Sequence, residues 1–165
     1  MCICTFFGHR DAPDSLRPSI EKVLSELITS GKADKFYVGN QGNFDKMVLD
    51  ILRDLSRKHT HIKYNVVLAY IPKKEIDIYN ETIVPDGIES VPRRFAIAHR
   101  NKWMVDKSDV VVAYITRSFG GAAKFVDYAT KSSKSIINLK CGIPWNWSLD
   151  IPVKNGIIYL TFMNT

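Results

Sequence analysis

Short runs of β-branched and aromatic residues alternate along this chain with stretches whose apolar residues recur every three or four positions. That alternation constrains the fold more than any other feature. The run "CICTFF" (residues 2–7) stops at Gly8, and Leu16, Ile20, Val23, Leu24, Leu27 and Ile28 then follow at helical spacing. Asp14 or Ser15 is the predicted N-cap of that helix and Gly31 its predicted stop. "KFYVG" (35–39) reads as a second strand. A helix over about 44–58 follows, with Met47, Val48, Ile51, Leu52 and Leu55 on one face, and then a third strand, "YNVVLAY" (64–70). The next stretch of roughly twenty residues holds Pro72, Pro85, Gly87 and Pro92 and reads as a lid or binding loop. A helix over about 93–107, the strand "DVVVAYI" (109–115), a helix over 122–132 and the strand "SIINL" (135–139) complete the pattern. Parallel neighbours need a crossover of about this length, so the chain predicts a mostly parallel sheet of five or more strands with helices on both faces.

With 165 residues, 45% of them hydrophobic, the chain can bury one core, so residues 1–165 are expected to form a single domain. Residues 140–165, which contain Trp145, Trp147 and the run "GIIYLTF", are expected to add an edge strand or a docking segment. The three cysteines are an odd number, and Cys2 and Cys4 alternate along a strand, a pattern that argues against a disulfide framework. No apolar run reaches membrane-spanning length, and "MCICTFFGHR" has no basic region ahead of its apolar run. The expectation is a soluble, cytoplasmic protein with no membrane partner.

The net charge of +6 favours anionic partners without choosing among them. Its basic residues are scattered in short clusters such as Lys73-Lys74 and Arg93-Arg94, with no continuous stripe interleaved with aromatics. Single-stranded nucleic acid is therefore a weaker expectation than a small anion.

In an open parallel sheet ligands bind beyond the carboxyl ends of the strands. Here those ends read Gly8-His9-Arg10-Asp11, Gly39-Asn40-Gln41-Gly42 and Thr116-Arg117-Ser118-Phe119-Gly120-Gly121. Glycine permits close backbone approach, and the helix that follows offers unpaired N–H groups and the positive end of its dipole. The expected ligand is a phosphate-bearing molecule, gripped by Arg10 and cradled by Gly8, Gly39, Asn40, Gln41, Gly42, Thr116, Ser118, Gly120, Gly121 and Ala122. His9 is either a phosphate donor, an acid or base, or a turn residue. Arg100 and Asn101 either reach the strand ends or lie on a solvated flank, and Trp103 either stacks on a base or belongs to the core. Asp45 is placed to cap the first turn of its helix. Neither a dinucleotide fingerprint nor a P-loop lysine is present, and His59 and His61 lack partners at ligand spacing. Neither a cofactor nor a metal is expected.

The segments "CTFFGHRD", "FYVGNQGNFD", "HRNKWMVDKSDVVVAYI" and "SFGGAAKFVDYATKSSKSIINL" together resemble the SLOG superfamily, which joins the DprA core with the LONELY GUY proteins. The match is closest to its small single-domain branch of bacterial and phage proteins and covers about residues 2–139. The resemblance implies a Rossmann-like three-layer fold that senses or sequesters a nucleotide or nucleotide-derived ligand, with antiphage signalling among the roles of such proteins, and commonly a homodimer. LONELY GUY enzymes are phosphoribohydrolases that use a helix arginine and a Pro-Gly-Gly-x-Gly-Thr-x-x-Glu motif. Arg100 matches that arginine, Gly120 and Gly121 the glycine pair, and Asp127 the glutamate. Phe119 stands in place of the proline, Ala123 of the next glycine and Lys124 of the phosphate-binding threonine, and the resemblance implies that Lys124 serves there as a phosphate-binding cation. If the chain is an enzyme, Arg100 and Asp127 are its catalytic pair and N-glycosidic cleavage of a nucleoside monophosphate its reaction.

Overall fold

A computed structural model describes residues 1–71, 81–141 and 157–158. Within them the chain runs β1 (Ile3–Gly8), α1 (Arg17–Thr29), β2 (Lys35–Val38), α2 (Asn43–Lys58), β3 (Lys63–Val67) and β4 (Thr82–Ile83). It continues with α3 (Ala96–Lys107), β5 (Val110–Tyr114), α4 (Gly121–Lys131), β6 (Ser135–Asn138) and β7 (Ile157–Ile158). The strands form one sheet in the order β4-β3-β2-β1-β5-β6-β7, and every pairing is parallel. The fold is α/β and Rossmann-like, as the alternating pattern predicted.

Alternation of side chains along the central strand divides the core in two. Cys4 and Phe6 of β1 pack with Ile20, Val23, Leu24 and Leu27 of α1 and with Met47, Val48, Ile51 and Leu52 of α2. Phe7 points to the other face and packs with Met104 and Val105 of α3 and with Phe125 and Ala129 of α4. Trp103 joins this second core, its ring 5.2 Å from that of Tyr37. Of the two readings its sequence left open, the core one holds. The buried Cys4 thiol is free, and burial pushes its pKa well up, so it behaves as a small apolar side chain.

Two features differ from the sequence expectation. The first helix starts later, at Arg17, because Asp14–Leu16 form a 3-10 turn and Pro18 occupies its first turn. The stretch after Tyr70 is not wholly a lid: Thr82 and Ile83 pair in parallel with Val66 and Val67 as an edge strand, and Ile88–Ser90 make a 3-10 turn. A two-residue strand between prolines has too little periodicity to be seen in sequence. Pro72 falls outside the described residues, as do Trp145 and Trp147. Ile157–Ile158, from the run "GIIYLTF", pair with β6 at the opposite edge. Among the described residues, no helix is long and apolar enough to cross a membrane.

This order places the functional edge. The chain moves outward from β1 through β2 to β3 and then returns to the other side of β1 with β5. The strands β1 and β5 stay paired to their carboxyl ends, but the helices that follow them, α1 and α4, pack on opposite faces of the sheet, so the crevice at this topological switch point is a consequence of connectivity.

Candidate functional site

A cavity of about 320 Å³ opens at this switch point. The end of β1 lines it with Gly8, His9 and Arg10, and the β2–α2 turn with Gly39 and Gln41. The first turn of α2 contributes Asp45, α3 contributes Arg100 and Asn101, and the β5–α4 loop contributes Arg117, Gly120, Gly121 and Ala122.

Arg100 is the largest charged group buried there, at 2% exposure. Its Nη1 donates to the Val67 carbonyl at 2.9 Å, while its Nε has no partner among the described residues. Burial lowers its pKa, with Asp45 and Tyr70 opposing that shift. Asp45 is also buried, and its Oδ2 accepts the Gln41 backbone N–H at 2.8 Å. Burial raises the carboxyl pKa, against the pull of that N–H and of the Arg100 and Arg10 guanidinium groups. Gly39 is what lets the two charges approach. A Cβ there would lie 2.5 Å from Asp45 Oδ2 and 2.6 Å from Arg100 Nη1.

Two helices start at the cavity rim, and each is introduced by a glycine that only glycine suits. Gly42, the N-cap of α2, has φ +114°, and Gly120, the N-cap of α4, has φ +100°. The sequence pairs Gly120 with Gly121, and the structure separates their roles. Gly121 has no positive φ, and a Cβ on it would meet nothing within 4 Å. The turn requires Gly120 alone, so Gly121 leaves the approach to the α4 N-terminus open.

His9 is buried, and its Nε2 accepts the Thr116 backbone N–H at 3.1 Å. That bond requires a neutral ring with the proton on Nδ1. Burial, then the Arg117 charge, lowers its pKa, and Asp11 partly opposes them. His9 thus ties the end of β1 to the start of the β5–α4 loop. Arg117 and Asp11 make a second tie between the same loops, with two bonds of 3.1 and 3.3 Å.

The His9 tie has a measurable pH signature. A histidine whose folded pKa is lowered contributes stability that is fully present above its unfolded value near 6.5 and is lost as pH falls through the folded pKa. The melting temperature is expected to fall as pH drops below about 6.5, and His9→Gln, whose amide oxygen can accept the Thr116 N–H, is expected to flatten that decline. The check is a series of thermal melts of both proteins between neutral and mildly acidic pH.

Not all residues singled out in the sequence converge. Gly8, His9, Arg10, Gly39, Gln41, Arg100, Asn101, Gly120, Gly121 and Ala122 line the cavity. Asn40 is exposed beside Gln41, and Gly42 packs against Arg10. Thr116 serves through its backbone N–H. Ser118, Lys124 and Asp127 line a different, wider hollow of about 720 Å³ on the far side of the Gly120-Gly121 turn. There the exposed Asp127 pairs with Lys131 at 2.7 Å, one helical turn on. Arg100 and Asp127 therefore line different hollows. The carboxylate that shares the cavity with Arg100 is Asp45, for which the sequence suggested only a capping role. The paired glycines three and six residues before Asp45 were the available signal. Among the described residues, no cluster of His, Cys, Asp and Glu is arranged to hold a metal ion.

The X-ray structure of DNA processing protein A (DprA) from Streptococcus pneumoniae superposes with a TM-score of 0.61 at 15% identity, covering 84% of this chain and 50% of that one. The fold is DprA-like. This chain spans only half the length of that DprA-like neighbour. In sequence it is similar to an uncharacterised SPbeta prophage-derived protein, YoqJ, of Bacillus subtilis (strain 168). The two are 23% identical over 158 residues, spanning 82% of this chain and 92% of YoqJ. No protein-family model matches the chain.

Proposed function

We propose that this protein binds a nucleotide or nucleotide-derived phosphorylated ligand in the β1–β5 crevice, as a sensing or sequestering module. The observation that carries the reading is the cationic rim of a half-enclosed cavity. Arg10, Arg100 and Arg117 line it with the open N-terminus of α4, against the carboxylate of Asp45 in its lining and that of Asp11, which is bonded to Arg117. Helix N–H groups and guanidinium groups are the usual partners of phosphate, and an apolar wall that includes Phe7, Ile97 and Met104 suits the rest of such a ligand.

Binding ranks ahead of LONELY GUY-type hydrolysis because the residues matching the catalytic pair, Arg100 and Asp127, face different hollows. It ranks ahead of nucleic-acid binding, which the name of DNA processing protein A brings to mind, because Arg10, Arg100 and Arg117 line one cavity of small-ligand size while the other basic residues are scattered in short clusters along the sequence.

A thermal-shift screen of nucleoside mono-, di- and triphosphates and cyclic nucleotides tests the reading. Stabilisation by one or more of them is expected, since a ligand at a hundredfold its Kd contributes about 2.7 kcal/mol. Gly121→Ala should leave both the unliganded melt and the shift largely intact, because open space surrounds that position. Gly121→Asp should abolish the shift by setting a carboxylate where the phosphate docks. The absence of a shift across the whole panel would overturn the reading.

A further inference from the structure

The carboxylate of Asp45 is out of place in a site for phosphate alone. It is buried, faces the same cavity as three arginines, and would repel an anion that came close. Its position is nevertheless enforced. Gln41 holds one of its oxygens through a backbone N–H, and Gly39 omits the side chain that would keep Asp45 and Arg100 apart. On the cation side, Nη1 of Arg100 is committed to Val67, and Nε is buried with no partner among the described residues. The floor of the cavity thus sets a carboxylate beside the guanidinium of Arg100, while Arg10, the Asp11-bonded Arg117 and the α4 N-terminus stand at its rim. An anion belongs at the rim. The group that belongs on the floor both donates to a carboxylate and accepts from a guanidinium, which a hydroxyl does with one atom. In a nucleotide, the hydroxyl-bearing group joined to the phosphate is the sugar.

We infer that Asp45 and Arg100 form a sugar-reading floor that selects ribonucleotides over 2′-deoxyribonucleotides, an inference that rests on the nucleotide reading above. A hydrogen bond to a charged group that the deoxy sugar cannot make corresponds to roughly a ten- to hundredfold difference in affinity. The same floor disfavours DNA and so separates this site from one for single-stranded DNA.

The test is titration calorimetry of the whole chain with every ribonucleotide of the thermal-shift panel and its 2′-deoxy counterpart. For whichever base binds, the ribo form is expected to bind at least about tenfold more tightly. Asp45→Asn, which keeps the shape and removes the charge, is expected to bring the ribo form down to the deoxy affinity. A melt followed by circular dichroism reports whether that variant is folded, and the wild-type comparison decides the matter if it is not. Equal affinity of the wild type for the two sugar forms would overturn the inference and leave the nucleotide reading standing. Binding of neither form would overturn both.

Discussion

Replacing Arg100 with methionine is expected to lower nucleotide affinity by about a hundredfold and global stability by about 3 kcal/mol. The two effects have separate physical origins. Methionine fills much of the space of the arginine stem, but it leaves the Val67 carbonyl without its donor and Asp45 without the guanidinium that offsets its burial. Removing one member of a buried charged pair is costly because the other remains desolvated. A double variant, Arg100→Met with Asp45→Asn, should therefore recover part of the stability. It should recover none of the affinity, because the donor face is still missing. Urea denaturation read beside calorimetric titration distinguishes the two effects. Arg100→Lys is expected to fold well yet bind poorly, since an ammonium cannot serve Val67 and a ligand with the fork of a guanidinium. Full binding by Arg100→Met would remove this residue from the site.

Gly42→Ala is expected to cost about 3 kcal/mol of stability, a fall in melting temperature of about 6–12 °C. Two penalties coincide. The backbone at φ +114° is a conformation that an L side chain rarely adopts, and the added Cβ would lie 2.7 Å from Arg10 Cα. The obstacle is main chain that cannot swing away, because the Asn43 N–H bonds to the Arg10 carbonyl at 3.0 Å and holds the two loops together. Gly31→Ala is the natural control. Its φ of +68° carries strain alone, with nothing within 4 Å of a new Cβ, so about 1 kcal/mol is expected. Thermal melts of both variants at one pH make the comparison. Equal losses would mean that the Arg10 contact carries no weight.

The fold was legible because local pattern and global architecture agree. The stripes of α1 and α2 recur at 3.6-residue spacing, the strand runs are short and apolar, and glycines stand where β2 and β5 give way to helices. The edge strand Thr82–Ile83 was not legible, since two residues are too few to show a period and their pairing with β3 is fixed by tertiary contact. The site was legible as a set of strand ends and illegible as a set of partners. Sequence placed Arg100 at two possible addresses, and only the fold buries it beneath Gly39.

Asp127 is the instructive case. The resemblance joined it to Gly120, Gly121 and Arg100; the two glycines do border the outer hollow with it, but Arg100 lines the other cavity. Ala122, Phe125 and Ala129 turn inward, whereas Ala123, Val126, Asp127 and Thr130 share the stripe that lines the outer hollow. The place of Asp45 beside Arg100 was hidden for the opposite reason. A carboxylate in the first turn of a helix has a sufficient local explanation, and its second neighbour, Arg100, lies 55 residues away in sequence.

The most direct test of the central claim is a crystal structure of the protein grown with whichever nucleotide stabilises it most. The phosphate is expected against the backbone N–H groups of Gly121 and Ala122, within reach of Arg10 and Arg117, with the remainder of the ligand in the β1–β5 cavity above Arg100. Density for the ligand over Ser118 and Lys124 in the outer hollow, with the β1–β5 cavity filled only by water, would contradict the account.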